Sequence, residues 1–420
     1  MLGHFLSATS AVSALSVTMR PFTSTISLVE ARRRLDAAAA PIARTEGVRL
    51  AAAPGRVAAA DVSSPIDVPP FARSAMDGYA VIAADTRGAS RATPVRLRIV
   101  ERLYTGRMPK TAIARGECSE IATGAALPVG ADAVIMVEET AKEGDEGVQM
   151  FATVPPGQHI GRRGADIAAG AVVVRKGDLL NPGRIGALAA IGQPDVEVYA
   201  QPRVAILSTG NEVVEPGQRL EPGQIFDVNR FTLAAVVAAH GGVPEPHHPA
   251  HDTLAALTQA LDECADADIV VFSGGSSVGE RDLIVDLIAA RGEMVFHGIA
   301  VKPGKPTAFA KVAGKPFFGM PGNPTSCLSN SYVLLVPFLR AIARLPVLPE
   351  RVVRVPLGRR IASPANRHQF YTVRLEGGAA FPAFKGSGDI TSLSQADGYI
   401  EIPADQSVIE PGTVVEVTLF

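Results

Sequence analysis

IVVFSGGSSVGERD (residues 269–282) is a run of apolar residues that ends in a loop of glycine, serine and charged residues. The same succession occurs in VAILSTGNE (204–212) and FFGMPGNPTS (317–326), and an apolar run over 294–301 leads into KPGKP (302–306). Apolar runs without alternation are typical of strands buried on both faces. Small residues at strand ends allow backbone N–H groups to face an anion. The sequence therefore predicts four strand ends at one sheet edge, forming a pocket for a phosphorylated ligand.

Candidate helices separate these strands, with capping residues at their starts and glycines after their ends. They span 230–240, 252–264 with Asp252 as N-cap, 282–291, and 325–343. Alternation of strands and helices predicts an α/β domain whose mostly parallel sheet carries helices on both faces.

The flanking segments have other patterns. Ser27 and Glu30 have the spacing of a capping box, which predicts a helix near the start of the chain. Residues 50–155 are short β-like runs between glycine and proline clusters, typical of a β-rich domain. Near the end of the chain, stretches such as TVVEVTLF (413–420) alternate with a period of two, which predicts a small antiparallel β domain.

Composition excludes several classes of protein. The net charge of −2 and the pI of about 6.5 provide no basic field for nucleic acid. Three widely spaced cysteines favour a reducing compartment over a disulfide framework or a zinc site. No apolar stretch reaches the roughly 20 residues that cross a bilayer, and the first residues lack the basic region of a secretory signal. We therefore expect a soluble, cytoplasmic protein with a disordered N-terminal tail.

Three acidic residues follow the predicted strand ends. Glu212 lies in STGNE, Asp227 lies shortly after it, and Asp282 begins the helix after the glycine-rich loop. Carboxylates that meet near phosphates suit a hard cation with oxygen ligands, such as Mg²⁺. Each residue alone is equally well interpreted as a solvated loop acid or a helix cap.

Lysines and hydroxyls follow the other strand ends. Lys302 and Lys305 are suited to phosphate or another oxyanion. Ser277, and Ser326 at a helix start, could add hydroxyl donors beside free N–H groups. The alternatives are a charged surface turn and a helix entry shaped by proline and glycine.

Other motifs carry little chemistry by themselves. SAMDGYA (74–80) and ATGAALPVGAD (122–132) read as hairpin turns. The histidines in HHPAHD (247–252) read as a linker rather than a metal site, because Pro249 interrupts them. Cys327 reads as buried packing rather than as a nucleophile.

Taken together, the motifs resemble the molybdopterin molybdenumtransferase family, from Ile26 to Phe420. Each string alone is weak evidence, but their common order is specific. The strings are SAMDGYA, ATGAALPVGADAV, RRGADI, STGNE, GQIFDVN, SGGSSVGERD, VKPGKP, GMPGNPTS, RHQFYTVRL and GSGDITSLSQADGY.

The resemblance implies four domains after an N-terminal tail. They are a small bipartite domain (26–49 with 156–200), an inserted β-rich domain (50–155), a molybdopterin-binding α/β domain (201–346) and a C-terminal β-barrel-like domain (347–420), with the tail at 1–25. It also implies a homodimer, with each active cleft formed between the α/β domain of one subunit and the β-rich domain of the other.

The reaction implied by the resemblance uses adenylated molybdopterin and molybdate. The adenylate is hydrolysed with Mg²⁺, AMP leaves and molybdenum enters the dithiolene. The resemblance assigns catalysis to Asp77, Thr123, Glu212 and Asp282, and Mg²⁺ to Glu212, Asp227 and Asp282. It assigns substrate binding to Asp166, Ser277, Lys302, Lys305, Ser326, Arg367 and Ser387. An adenylyltransferase and molybdoenzymes are further partners that the resemblance implies.

Val228, Ser276 and Asn211 depart from residues common in the family, and Asn211 removes one potential carboxylate ligand. Two alternative functions remain at this point. A molybdopterin adenylyltransferase would share the α/β domain but is a shorter, single-domain protein. A non-catalytic molybdopterin-binding scaffold is the other.

Overall fold

The computed structural model describes residues 25–274, 283–349, 351–364 and 366–420. These residues form two compact units. One spans Thr45–Val198, and the other combines the described residues up to Arg44 with Tyr199–Phe420.

The first helix, α1 (Leu28–Ala38), begins as its capping box predicts. The Oγ atom of Ser27 accepts a hydrogen bond from the N–H of Glu30 at 3.2 Å. The apolar side of α1 places Leu28 and Leu35 in the core of the α/β domain. Because that face is buried there, α1 belongs to the unit of residues 199–420, and the predicted 26–49 segment contributes to the other unit only from Thr45 onward.

The unit 45–198 is rich in short strands. In chain order they are β1 (Thr45–Arg49), β2 (Val62–Ser63), β3 (Arg73–Ser74), β4 (Gly78–Val81), β5 (Val95–Leu103), β6 (Glu117–Ile121), β7 (Ala133–Met136), β8 (Thr140–Glu143), β9 (Gly147–Met150), β10 (Ile160–Gly161), β11 (Val172–Val174) and β12 (Asp195–Tyr199), with helix α2 (Pro182–Ala190). Six form a sheet in the order β7-β4-β6-β5-β9-β8, which is antiparallel except between β5 and β6.

Shorter pairs join the residues before this sheet to those after it: β1 with β12, β2 with β11 and β3 with β10. A separate apolar core, which includes Leu180, Leu188 and Val198, lies beside α2. Chain segments on both sides of the inserted sheet thus build one core. The other predicted domain limits stay a prediction.

The α/β domain follows. Its strands are β13 (Arg203–Ser208), β14 (Val213–Val214), β15 (Ile225–Phe226), β16 (Val243–Pro246), β17 (Ile269–Ser273), β18 (Gly292–His297), β19 (Val301–Lys302), β20 (Ala308–Val312) and β21 (Lys315–Met320). Its helices are α3 (Asn229–Ala239), α4 (Leu254–Glu263), α5 (Leu283–Arg291), α6 (Pro324–Asn330) and α7 (Val336–Ile342).

The main sheet has the order β16-β13-β17-β21-β20-β18. The first four strands are parallel, and β20 is antiparallel to both of its neighbours. Since β18 and β21 both oppose β20, they run in the same direction. The strands β13, β17, β18 and β21 therefore end at one edge, and three of the four predicted loops directly follow β13, β17 and β21. The 294–301 run is divided, because β18 ends at His297 and β19 joins another sheet.

Alternate residues of β17 enter two separate cores. Ile269 and Val271 pack on one face of the sheet, and Val270 and Phe272 pack on the other. On the first face Phe309 contacts the rings of Phe296, Phe318 and Phe338 at centroid distances of 5.9, 4.8 and 5.5 Å. Burial on both faces explains why these strands lack alternation.

Two helices differ from the sequence prediction. The N-cap of α4 is Thr253, not Asp252, because the Thr253 side chain accepts a hydrogen bond from the N–H of Ala256. The predicted 325–343 helix is α6 and α7 joined by a π-helical segment, Ser331–Leu335. Pro337 has no N–H to donate, and the widened turn lies directly before it.

The C-terminal domain is antiparallel, as its period of two predicts. It contains β22 (Val352–Pro356), β23 (Ile361–Ala362), β24 (His368–Glu376), β25 (Ala379–Pro382), the short helix α8 (Thr391–Ser394), β26 (Gly398–Ile402), β27 (Val408–Ile409) and β28 (Val414–Leu419). Its sheet continues as β24-β26-β28-β22, and β19 of the α/β domain pairs in parallel with β24 at its edge.

All three cysteines are buried and unpaired. Burial raises the pKa of Cys118 and Cys327 to about 12 and that of Cys264 to about 11. Because the thiolate is the nucleophile, these thiols are packing residues. Within the described parts of the chain, no helix is both long and apolar enough to span a membrane.

Replacing Phe309 with alanine should lower the free energy of unfolding by about 3–5 kcal/mol, because a cavity replaces a fully buried ring. Chemical denaturation measures the loss. Phe231→Ala is the matched control, since Phe231 is 52% exposed. Equal losses in the two variants would contradict the assigned core.

The folded protein should resist alkylation by iodoacetamide at pH 8, because its thiols are buried and protonated. Mass spectrometry should find three modified cysteines only after denaturation. Rapid labelling of Cys327 before unfolding would show that its environment is wrongly described.

Candidate functional site

A cleft of about 1490 Å³ opens at the strand ends of the α/β domain and against the C-terminal domain. Polar residues that line it are Ser208, Thr209, Glu212, Asp227, Asn229, Asp252, Thr253, Ser273, Asp286, Lys302, Lys305, Asn323, Ser326, Arg367, Lys385 and Ser387. Glu212, Asp227, Lys302, Lys305, Ser326, Arg367 and Ser387 are among the residues selected from the sequence. Seven predicted residues, from both domains, thus meet in one cleft.

Strand pairing aligns the floor of this cleft. Ser208 pairs in register with Ser273, and their Oγ atoms lie 3.3 Å apart. Beyond the strand ends, the N–H of Thr209 donates to the carbonyl of Ser273 at 3.0 Å, and that of Gly274 donates to the carbonyl of Met320 at 3.2 Å. The loops therefore leave the sheet side by side.

Asp227 is buried beneath the acidic side of the cleft. Its Oδ1 atom accepts hydrogen bonds from the Ser208 hydroxyl and the Arg230 N–H, both at 3.1 Å. Its Oδ2 atom lies 3.4 Å from Nε of Arg230. The buried guanidinium also donates to Glu215 at 2.8 Å, and hydrogen bonds from Arg230 and His248 hold the pKa of Glu215 below its ordinary value. Arg230 thus compensates the charge of Asp227.

Glu212 is exposed at the cleft, and two further carboxylates, missed in the sequence, also line it. Asp252 accepts a hydrogen bond from the Thr209 hydroxyl. Asp286 lies in the first turn of α5, four residues after Asp282 in the sequence. That spacing was the available signal for Asp286, whereas Asp252 had been assigned to capping.

The donors on this side are carboxylate and hydroxyl oxygens, which are the ligands that Mg²⁺ prefers. The donor chemistry therefore fits the implied cation. Asp282 lies outside the described residues, as do Ser276 and Ser277. Within the described ranges, no cluster of three histidine, cysteine or acidic residues could hold a metal ion. The Mg²⁺ ligands stay a prediction.

The C-terminal domain completes the basic side. Val301 and Lys302 pair with His368 and Gln369, which brings the preceding Arg367 to the cleft. Lys385 lines the same side and was missed, because its loop lies far away in sequence. The same cleft is thus lined by lysines and an arginine as well as by carboxylates.

Ser387 connects the two domains directly. Its carbonyl accepts hydrogen bonds from the N–H groups of Thr325 at 3.1 Å and Ser326 at 3.4 Å, and its hydroxyl accepts one from the Asn323 amide at 3.1 Å. The helix start predicted to offer free N–H groups to an anion therefore binds the C-terminal loop instead. The Ser326 side chain remains at the cleft.

In the unit 45–198, two motifs read as separate turns meet. The Asp77 carboxylate accepts a hydrogen bond from the Thr123 N–H at 2.7 Å, and both residues are exposed. A Cβ atom on Gly78 would overlap the carbonyl of Ile135, so this position requires glycine. Asp166 is also exposed, and its N–H donates to the carbonyl of Val68 at 3.0 Å.

The HHPAHD histidines have structural contacts. The carbonyl of His247 accepts from Arg230 at 3.0 Å, its ring Nε2 lies 3.6 Å from the Cys264 sulfur, and His248 contacts Glu215. These contacts agree with the linker interpretation.

Sequence comparison identifies three family regions. The MoeA N-terminal region (domain I and II) matches residues 26–192, the probable molybdopterin binding domain matches 205–341, and the MoeA C-terminal region (domain IV) matches 354–420.

Among similar proteins, molybdopterin molybdenumtransferase 2 of Mycobacterium tuberculosis is 36% identical, covering 88% of this chain and 94% of the relative. The molybdopterin molybdenumtransferase of Nostoc sp. is 34% identical, covering 89% and 88%. A similar solved structure is the crystal structure of the molybdopterin biosynthesis moea protein from Pyrococcus horikosii. The two chains are 40% identical in sequence, the match covers 94% of this chain and 99% of that chain, and the TM-score is 0.81.

The three regions follow one another along nearly the whole described chain, which separates it from single-domain relatives. The chain belongs to the molybdopterin molybdenumtransferase family of molybdenum cofactor biosynthesis enzymes.

Proposed function

We propose that this enzyme inserts molybdenum from molybdate into adenylated molybdopterin and releases AMP. The observation that carries the proposal is a single cleft that is lined both by carboxylates and by lysines and an arginine. A substrate that combines a phosphoanhydride with an oxyanion co-substrate needs both kinds of group.

The acidic side serves the adenylate. Glu212, Asp227 and Asp282 would hold Mg²⁺, which would polarise the phosphoryl oxygens when bound. Hydrolysis breaks one P–O bond of the anhydride, and water supplies the oxygen of the new bond. The Ser208–Asp227–Arg230 network keeps the Asp227 carboxylate fixed, so that little reorganisation is needed when the substrate binds.

The basic side serves the oxyanion. Molybdate is a tetrahedral dianion, for which Lys302, Lys305 and Arg367 are suitable charged donors. Hydroxyls of Ser326, Ser277 and Ser387 add neutral donors. Both domains supply donors, so docking of the C-terminal domain is part of site assembly.

The finer architecture belongs to this proposal. It comprises the bipartite domain, the inserted β-rich domain, a barrel-like closing domain and a cytoplasmic homodimer with contacts to an adenylyltransferase and molybdoenzymes. Asp77, Thr123 and Asp166 would reach the α/β cleft of the partner subunit. Support comes from the hydrogen bond between Asp77 and Thr123, because it joins the SAMDGYA and ATGAALPVGAD motifs into one exposed polar cluster.

Incubation with adenylated molybdopterin, molybdate and Mg²⁺ should release AMP, and chelation of Mg²⁺ should stop it. Lys302→Ala should weaken oxyanion binding by about 1.5–3 kcal/mol, the range for a charged hydrogen bond. Chromatography measures the AMP that is released. Lys311→Ala changes an exposed lysine of β20 and is the matched control for Lys302→Ala. AMP at background level with the wild-type protein would overturn the proposed activity.

Asp77→Ala and Glu212→Ala proteins, each inactive alone, should recover activity when their subunits are exchanged. One of the two clefts in each heterodimer is intact, and random exchange makes half of the dimers mixed, so about a quarter of wild-type activity is expected. A mixture of Asp77→Ala with the double variant is the control. No recovery after proven exchange would place the whole cleft within one subunit.

A further inference from the structure

Lys302 and Lys305 are held on a loop whose middle residue, Gly304, packs against a buried side chain. Gly304 has φ of 99°, and a Cβ atom there would overlap the side-chain amide of Asn330. Asn330 is fully buried at the end of α6. The loop between the two lysines therefore rests directly on this amide.

Hydrogen bonds fix the contact. The Nδ2 group of Asn330 donates to the Gly304 carbonyl at 2.9 Å and to the Thr307 hydroxyl at 2.6 Å. The Thr307 hydroxyl donates in turn to the same Gly304 carbonyl at 2.9 Å. A buried carbonyl with two donors has little freedom to rotate, so the peptide between the lysines is held in one orientation.

The hydrogen bonds of the Asn330 side chain all go from its Nδ2 group to Gly304 and Thr307. Its Oδ1 atom is buried and has no hydrogen-bond partner among the described residues. An unsatisfied buried acceptor destabilises the folded state, because it loses its hydrogen bond to water on burial. A side chain chosen only for stability would avoid that cost, whereas one that must donate to Gly304 has to accept it.

Asn330 lies on the helix that contacts both the loop of Lys302 and Lys305 and the loop of Ser387. The other end of α6 carries Thr325 and Ser326, whose N–H groups bind Ser387 of the C-terminal domain. One short helix thus holds the lysine loop at its last residue and the Ser387 loop at its first turn.

We propose that Asn330 is a positioning residue for oxyanion binding. It touches neither substrate nor the reacting atoms, and it fixes Lys302 and Lys305 before the oxyanion arrives. This inference rests on the proposed function, because it assumes that the two lysines bind the oxyanion.

The test compares Asn330→Leu with Ser331→Ala. Leucine has the same branching at Cγ and the same number of side-chain heavy atoms as asparagine, and it cannot donate to Gly304. Ser331 is the adjacent, equally buried residue, and its hydroxyl donates within the helix to the Cys327 carbonyl at 2.7 Å. Both variants lose a buried hydrogen bond, but only Asn330→Leu releases the lysine loop.

Molybdate is the probe, with its Kd measured by calorimetry on the full-length proteins. Asn330→Leu should raise the Kd about tenfold, the equivalent of one net buried hydrogen bond, while Ser331→Ala leaves it unchanged. Gly304→Ala should reproduce the Asn330→Leu effect, because its methyl group displaces the amide. An Asn330→Leu Kd equal to that of Ser331→Ala would overturn the positioning role.

Lys302→Ala separates the two proposals. If Lys302→Ala weakens molybdate binding and Asn330→Leu does not, the positioning role fails and the oxyanion role of the lysines stands. If Lys302→Ala leaves the Kd unchanged, the proposed role of the lysines itself fails. Thermal unfolding of each variant shows whether an affinity loss comes with a loss of fold.

Discussion

The site depends on the parallel pairing of β13, β17 and β21. Their register brings Ser208, Ser273 and Met320 to one level, so that the loops after them leave the sheet together. A shift of one residue would turn every side chain of a strand to the opposite face. Because the two faces bury different cores, such a shift would place each side chain in the wrong core and disrupt the packing of both. Core packing therefore fixes the geometry of the cleft floor.

Docking of the C-terminal domain follows from the same sheet edge. The chain leaves β18, forms the short strand β19 and there pairs with β24, so one polypeptide segment belongs to both domains. The Ser387 loop makes a second connection at the start of α6. These two connections bring Arg367 and Ser387 to the cleft that the carboxylates also line. Residues that are distant in sequence and predicted to bind the oxyanion thus line one cleft.

Much of this could be predicted from sequence, for physical reasons. Strands buried on both faces leave uninterrupted apolar runs, and helix caps and glycines mark helix ends, so the α/β domain was readable. Long-range contacts leave no local pattern. Nothing near Thr325 or Ser326 indicates that their N–H groups bind Ser387, and nothing near Asp77 indicates the Thr123 contact. Family resemblance supplied Arg367 and Ser387, whereas Lys385, Asp252 and Arg230 required the fold.

The carboxylates of the cleft differ in how many hydrogen bonds and ion pairs they make with other residues of the protein. Asp227 has the Ser208 hydroxyl, the N–H and the guanidinium of Arg230, and Asp252 has the Thr209 hydroxyl. Among the described residues, no side chain donates to the carboxylate of Glu212, which is exposed at the cleft. The Oδ2 atom of Asp227 has no hydrogen-bond partner among the described residues, but a cation there would be repelled by the neighbouring Arg230 guanidinium, whereas at Glu212 it competes only with water. Glu212 and Asp286 are therefore the described carboxylates of the cleft that could take a cation without disturbing the internal network, whereas Asp227 is part of the network that orders the cleft floor.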